Sequence, residues 1–295
     1  MVPVILFAYA RPEHLGRTLA CLRENQVPRI YAFSDGPRSV DVAPRVAAVR
    51  SMLRAIDWCE VVLREREENL GLGRSIRSGV SEVLAQHEAC IVVEDDLICV
   101  PGTYHYLQAA LERYQDEPRV MSVTGWTHPR LIPPGVGEQP YFDGRAECLL
   151  WGTWRRAWIG MQDDAQTLLQ RCRAAGIDPY GYGVDLPAMA RVELKQNIWA
   201  VRWLYWHILN RGLCLRPPWS MVEHRGFDDL ATHAAAATWL AQAPLRVAPS
   251  IPTVWPEAVE AQACRRLHQQ FSMAHLPRLR RLYQFVRRAV AALKP

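Results

Sequence analysis

Five apolar runs of strand length alternate with stretches of helical spacing through the first half of the 295-residue chain, and this alternation limits its fold most. The runs are Val2–Ala8, Ile30–Ser34, Val61–Arg64, Cys90–Val93 and Val120–Val123. Between them lie Glu13–Glu24, Val42–Ile56, Arg74–Gln86 and Thr103–Gln115, where apolar residues recur at intervals of three and four, as at Leu15, Leu19 and Leu22. Strand–helix–strand repetition favours a mainly parallel sheet with helices on both faces, so an α/β fold is expected. Open parallel sheets bind ligands beyond the carboxyl ends of their strands. The residues just after each run are therefore the ones to weigh.

Those residues are Tyr9-Ala10-Arg11-Pro12, Ser34-Asp35-Gly36-Pro37, Glu68-Asn69-Leu70-Gly71-Leu72-Gly73, Glu94-Asp95-Asp96 and Thr124-Gly125-Trp126. Glu94-Asp95-Asp96 is the strongest signal. Three adjacent carboxylates after a buried strand repel one another unless they are solvated or share a cation. Hard divalent ions prefer such oxygens and keep positions open for phosphate. Asp35, in a tight turn with Gly36 and Pro37, suits contact with a base or ribose, or simply shapes the turn. Asn69–Gly73 lets a backbone approach an anion at the start of a helix, or serves only as a helix entry. A solvated acidic turn is the plainer reading of Glu94–Asp96.

The order of these pieces resembles the nucleotide-binding half of GT-A glycosyltransferases, a Rossmann-like fold. Glu94-Asp95-Asp96 is similar to the DxD-type metal motif, in the variant of the N-acetylglucosaminyltransferase I group and of bacterial family 2-like sugar transferases. Downstream, Trp151-Gly152-Thr153-Trp154-Arg155-Arg156-Ala157-Trp158, Asn197–Trp203 and Gly226-Phe227-Asp228-Asp229-Leu230-Ala231-Thr232-His233 resemble three further segments of those enzymes, so the match runs over residues 1–235. The resemblance implies a glycosyltransferase with a nucleotide-sugar donor, a UDP-sugar first, and Mn²⁺ or Mg²⁺. It implies Asp96 and His233 as metal ligands, with His224 as the alternative to His233. Tyr9, Arg11, Asp35, Asn69, Gly73, Arg74, Glu94 and Asp95 would contact the donor. Trp126 and Trp151 would contact donor or acceptor, although core packing accounts for most tryptophans. The acceptor would be a polysaccharide, glycolipid or protein.

One position departs from the pattern. Where the bacterial enzymes carry an Asp after Trp, this chain has Ala200. Inverting transfer needs a carboxylate to take the acceptor's proton. Asp185, Glu193 and Glu223 are the candidates for that base. The vacancy leaves open a non-catalytic GT-A-like binding or assembly protein. A nucleotidyltransferase also uses an α/β nucleotide-binding sheet and acidic metal ligands, but no glycine-rich, basic nucleotide loop lies near the start.

Composition adds bounds. The formal charge is +5, and no run reaches the roughly 18 apolar residues of a membrane span. The eight cysteines form no CxxC pair, which suits free thiols in a reducing compartment and so a cytoplasmic protein. All tryptophans but Trp58 lie at or beyond position 126. Val192–Leu209 reads as one helix and Leu131–Gly137 as a loop. Leu276, Leu279, Leu282, Tyr283, Val286, Val290 and Leu293 fall at helical spacing among Arg278, Arg280, Arg281, Arg287, Arg288 and Lys294. That basic amphipathic stretch suits either an anionic membrane surface, with the protein peripheral to it, or a docked helix. The expected organisation is a donor-binding half at 1–126, an acceptor-binding half at 127–260 and a helical tail at 261–295. No nucleic-acid partner is expected.

Overall fold

The computed structural model describes residues 1–196, 198–226 and 243–274. Its first half follows the alternation. Strand β1 (Val4–Ala8) leads to α1 (Pro12–Glu24), β2 (Arg29–Ser34) to α2 (Ala43–Arg54), β3 (Glu60–Glu65) to α3 (Leu72–Leu84), and β4 (Ala89–Glu94) through a short β5 (Leu97–Cys99) to α4 (Thr103–Arg113). Then come β6 (Val120–Thr124), β7 (Tyr141–Asp143), β8 (Trp151–Trp154), the one-turn α5 (Arg155–Trp158), α6 (Ala165–Ala174), α7 (Leu186–Gln196), α8 (Ala200–Leu209), β9 (Leu213–Arg216), β10 (Val222–His224) and α9 (Cys264–Ala274).

Eight strands form one sheet in the order β3-β2-β1-β4-β8-β6-β9-β7. The half built from β3, β2, β1 and β4 is wholly parallel. The other half is mixed, because β8 runs antiparallel to both β4 and β6, and β7 antiparallel to β9. The fold is α/β, as the alternation predicts.

Alternate residues of β1 face opposite cores. Val4, Leu6 and Ala8 pack with α1, α2 and α4, whereas Ile5 and Phe7 pack with α3, α6, α7 and α8. A strand covered on both faces must be apolar at every position, and β1, β4 and β6 are buried throughout or nearly so. On the second face Trp151 lies against Trp158, Trp199 and Trp203 at centroid distances of 5.8, 5.5 and 5.4 Å.

The single helix expected over Val192–Leu209 is two helices. The break falls between Gln196 and Ala200; Trp199 at the head of α8 stacks on Trp151, and the buried Glu193–Arg202 pair joins the two helices at 2.8 Å. Strands β7 to β10 span three or four residues each, too short for a periodicity to register. Helix α9 is bound into the body, with Cys264, His268, Phe271 and Ser272 buried, although it falls in the stretch read as tail. The basic segment Leu276–Lys294 lies outside the described residues. No helix among the described residues is long and apolar enough to cross a membrane.

Candidate functional site

The chain runs from β1 to β2 on one side and places β4 on the other. Strand order therefore reverses at β1 and β4, and ligands of open α/β sheets bind at such a switch point. The carboxyl ends of these two strands carry Tyr9–Arg11 and Asp95-Asp96. They are locked together. The Tyr9 backbone N–H donates to Asp95 Oδ2 at 3.1 Å. Arg11 Nη2 donates to Asp95 Oδ1 at 2.6 Å and to Asp96 Oδ2 at 2.8 Å. From beneath, Thr18 Oγ1 of α1 donates to the carbonyls of Asp95 and Leu97.

The small sheet of β5 and β10 brings a distant segment to the same place. Leu97 pairs with His224, whose Nε2 is 3.5 Å from Asp96 Oδ2. The Arg225 N–H donates to the Asp96 carbonyl at 2.8 Å. Gly226 follows, and a methyl group there would overlap Asp96 Oδ2 and sit 3.0 Å from Arg11 Nη1. Asp95 and Asp96 are buried. Asp96 Oδ1 has no hydrogen-bond partner among the described residues. A buried carboxylate oxygen without a partner is costly, and a cation is one way to satisfy it.

Crowding shifts the charges. Burial, then the Asp96 and Asp95 charges, push the half-buried Glu94 up to about 8. Burial also raises Asp95, against the pull of Arg11. Burial works against the Arg11 charge, yet the two carboxylates overcome it and raise its pKa. His224 is held below its ordinary value by burial, with Asp96 opposing.

Asp35 lies at the end of β2. Its Oδ1 accepts from Arg66 Nη1 at 2.8 Å and Ser75 Oγ at 3.1 Å, and its Oδ2 accepts from Leu70 N at 3.0 Å. A carboxylate offers about four acceptor sites, so these three donors leave room for about one more. Asp35 thus holds the loop before α3 in place. Asn69 braces the same loop, donating to Gly36 O at 3.0 Å and accepting from Gly71 N at 3.1 Å. Gly36 is required by the close approach of the Glu67 carbonyl. Gly73 is buried at the start of α3, and the exposed Arg74 donates its Nε–H to Leu70 O.

The remaining candidates sit elsewhere. Trp126 and Trp151 are each 1% exposed, so neither ring is open to a sugar in this conformation. The physical reason is that both belong to the apolar cores that flank the sheet. Among the base candidates, Asp185 is held by both terminal nitrogens of Arg145 at 3.0 and 2.8 Å. Glu193 is buried against Arg202. Glu223 is 2.9 Å from Arg225 Nη2. Ala200 opens α8. His233 lies outside the described residues, as does the motif from Phe227 onward.

The sequence reading missed a second charged cluster. Arg216, at the end of β9, is fully buried, with Nε 2.7 Å from Asp143 Oδ2 and Nη1 3.5 Å from Glu147 Oε2. His268 and Arg145 complete it. These residues are scattered from 143 to 268 and share no motif, so only the fold assembles them.

Comparison with known proteins gives remote matches alone. No family model matches, and no curated protein matches. Among solved structures, the mannosyltransferase PcManGT from Pyrobaculum calidifontis, in complex with GDP-Man and Mn²⁺, is 18% identical, with a TM-score of 0.38, over 58% of this chain and 46% of that one. HddC from Yersinia pseudotuberculosis is 12% identical, with a TM-score of 0.33, over 53% of this chain and 78% of that one. The chain thus covers less than half the length of the mannosyltransferase. Likeness of this degree says nothing of substrate.

Proposed function

We propose that the chain is a metal-assisted glycosyltransferase of the GT-A type that binds a nucleotide-sugar donor at the carboxyl ends of β1, β2 and β4. The observation that carries this reading is the buried Asp96, whose Oδ1 is unpartnered beside His224 at a topological switch point. Asp96 would hold a divalent cation, Mn²⁺ or Mg²⁺, with His224 or the more distant His233 as a second ligand. Such a cation supplies compensation for charge that develops on a departing diphosphate.

The chain's own residues do the rest. The Tyr9 N–H and Arg11 orient Asp95 towards the donor's ribose or sugar. Asp35 has acceptor capacity left for a base or ribose, with UDP the first nucleotide to test. The loop Asn69–Gly73 and Arg74 at the head of α3 lie on the diphosphate side. In this reading residues 1–126 are the donor half, 127–260 the acceptor half for a glycan, glycolipid or protein, and the segment after Ala274 reaches an anionic membrane surface from the cytoplasm.

The test is binding. Calorimetry with UDP-, GDP-, dTDP- and CMP-sugars, with and without Mn²⁺, should find one metal-dependent ligand, and Asp96→Ala should abolish it. Full binding by that variant would end the assignment. A second reading rests on Ala200 together with the ion pairs that hold Asp185, Glu193 and Glu223: a GT-A-like protein that binds a donor without transferring it. Metal-dependent donor hydrolysis separates the two.

A further inference from the structure

The acidic turn has a cation within the chain. Arg11 Nη2 spans two carboxylates at 2.6 and 2.8 Å, and the Arg11 side chain is four-fifths covered. Such charge-assisted hydrogen bonds are short and roughly twice as strong as neutral ones. The position of Arg11 is built, not incidental. It sits at the N-cap of α1, between the end of β1 and Pro12, and its backbone carbonyl accepts from Leu15 N at 3.0 Å. Gly226 packs on the other side, leaving no room for a side-chain carbon between itself and the Arg11–Asp96 pair.

We infer that Arg11 is the resident cation of this site and competes with a divalent ion for Asp95 and Asp96. The inference rests on the donor-site reading above. The charges support it. Two adjacent carboxylates share a single guanidinium, so the pair is balanced by one cation only. A divalent ion entering beside Arg11 meets a cation at close range, and at the effective dielectric near a protein surface two unit charges about 4 Å apart repel by several-fold more than in water. The ion enters when an anionic diphosphate draws the guanidinium off the carboxylates. Metal and donor diphosphate therefore bind together. Asp96 Oδ1 is the contact Arg11 leaves open, and it gives the incoming ion its first oxygen.

The experiment is Mn²⁺ titration of the full chain without nucleotide, followed by loss of the free-ion electron paramagnetic resonance signal. Wild type should bind weakly, and Arg11→Gln at least about tenfold more tightly, because the carboxylates lose their internal counter-ion. Arg11→Lys keeps the charge and should resemble wild type. Adding Asp96→Ala to Arg11→Gln should remove the gain. Equal Mn²⁺ affinity in wild type and Arg11→Gln overturns the inference, as does tight binding that survives loss of Asp96. If Arg11→Gln fails to fold, Arg11→Met takes its place in the same titration, and the same two outcomes decide. The donor reading fails differently. There, no nucleotide sugar binds at all, whatever Mn²⁺ does in the three variants.

Discussion

His268 Nε2 lies 2.6 Å from Asp143 Oδ2, and both side chains are closed off from solvent. This contact joins α9 to the inner end of β7. Arg216 adds its charge from β9, with Nε 2.7 Å from the same oxygen, and the Arg145 N–H donates to Asp143 Oδ1 at 2.9 Å. One carboxylate thus ties the last described helix to the sheet beneath the half expected to take the acceptor.

Asp143→Ala should cost about 3–5 kcal/mol at neutral pH, because it leaves the buried Arg216 charge poorly compensated. The pH dependence follows from the shift. His268 and Arg216 hold Asp143 well below the usual carboxylate range, against burial. A depressed carboxylate contributes stability that is present above its unfolded pKa of about 3.9 and is lost as pH falls through the folded value. The gap between wild type and Asp143→Ala in denaturant unfolding should be constant from about pH 7 to 5 and narrow below about pH 4. A gap below about 1 kcal/mol at pH 7 would refute the tie.

His207 also loses stability as pH falls, but as a group buried in its neutral form. Its Nε2 meets Ser122 Oγ at 2.9 Å and its Nδ1 meets Trp203 O at 3.1 Å, which fits a neutral ring. Burial holds its pKa down to about 3. The unfolded chain therefore takes up a proton first, near pH 6.5, and stability falls by about 1.4 kcal/mol per pH unit below that. His207→Leu removes this term. Unfolding free energies between about pH 6.5 and 4.5 should fall less steeply in the variant, and parallel slopes would exclude the account.

Trp151 is at the centre of four packed indoles, so Trp151→Ala should cost about 3–5 kcal/mol. The same substitution should act through stability and not through a sugar contact. Trp151→Phe fills much of the space and should keep donor affinity while losing part of the stability. Calorimetric titration and denaturant melts of the two variants distinguish these effects. Loss of ligand affinity without loss of stability would restore the reading of Trp151 as a sugar contact.

The first half of the fold was legible because β1, β2, β4 and β6 are buried along nearly their whole length, and only the edge strand β3 is partly exposed. Val4–Ala8 must be apolar throughout, and the carboxylates after it and after β4 then mark the ligand edge. Trp151 and Trp126 were harder. An aromatic residue beside a strand end looks the same in sequence whether it lines a cleft or fills the core, and here the packing of α7 and α8 decides for Trp151 and the core on the opposite face for Trp126. Strand β10 was invisible for another reason. Three residues carry no period, and only pairing with β5 brings His224 to Asp96. The Asp143–Arg216–His268 cluster has no local signature, since its members come from β7, β9 and α9.

Gly226 offers the sharpest test of the candidate site. A methyl group there overlaps the Asp96 carboxylate, and the next nearest residue is Arg11, with Nη1 at 3.0 Å. Gly226→Ala must push the carboxylate, the guanidinium or the Arg225–Gly226 backbone out of place. The backbone is restrained, because Arg225 N–H donates to the Asp96 carbonyl and Arg225 O meets His14 Nε2 at 3.1 Å. The displacement should therefore fall on the Arg11–Asp96 pair. Metal-dependent nucleotide affinity should drop by about tenfold or more, equivalent to about 1.4 kcal/mol. Gly181→Ala is the control, since a methyl group there meets nothing within 4 Å. Both variants should keep native circular dichroism. Calorimetry with the nucleotide sugar found to bind, in Mn²⁺, gives the readout. If Gly226→Ala binds as tightly as Gly181→Ala, the Asp96 carboxylate is not part of the binding site.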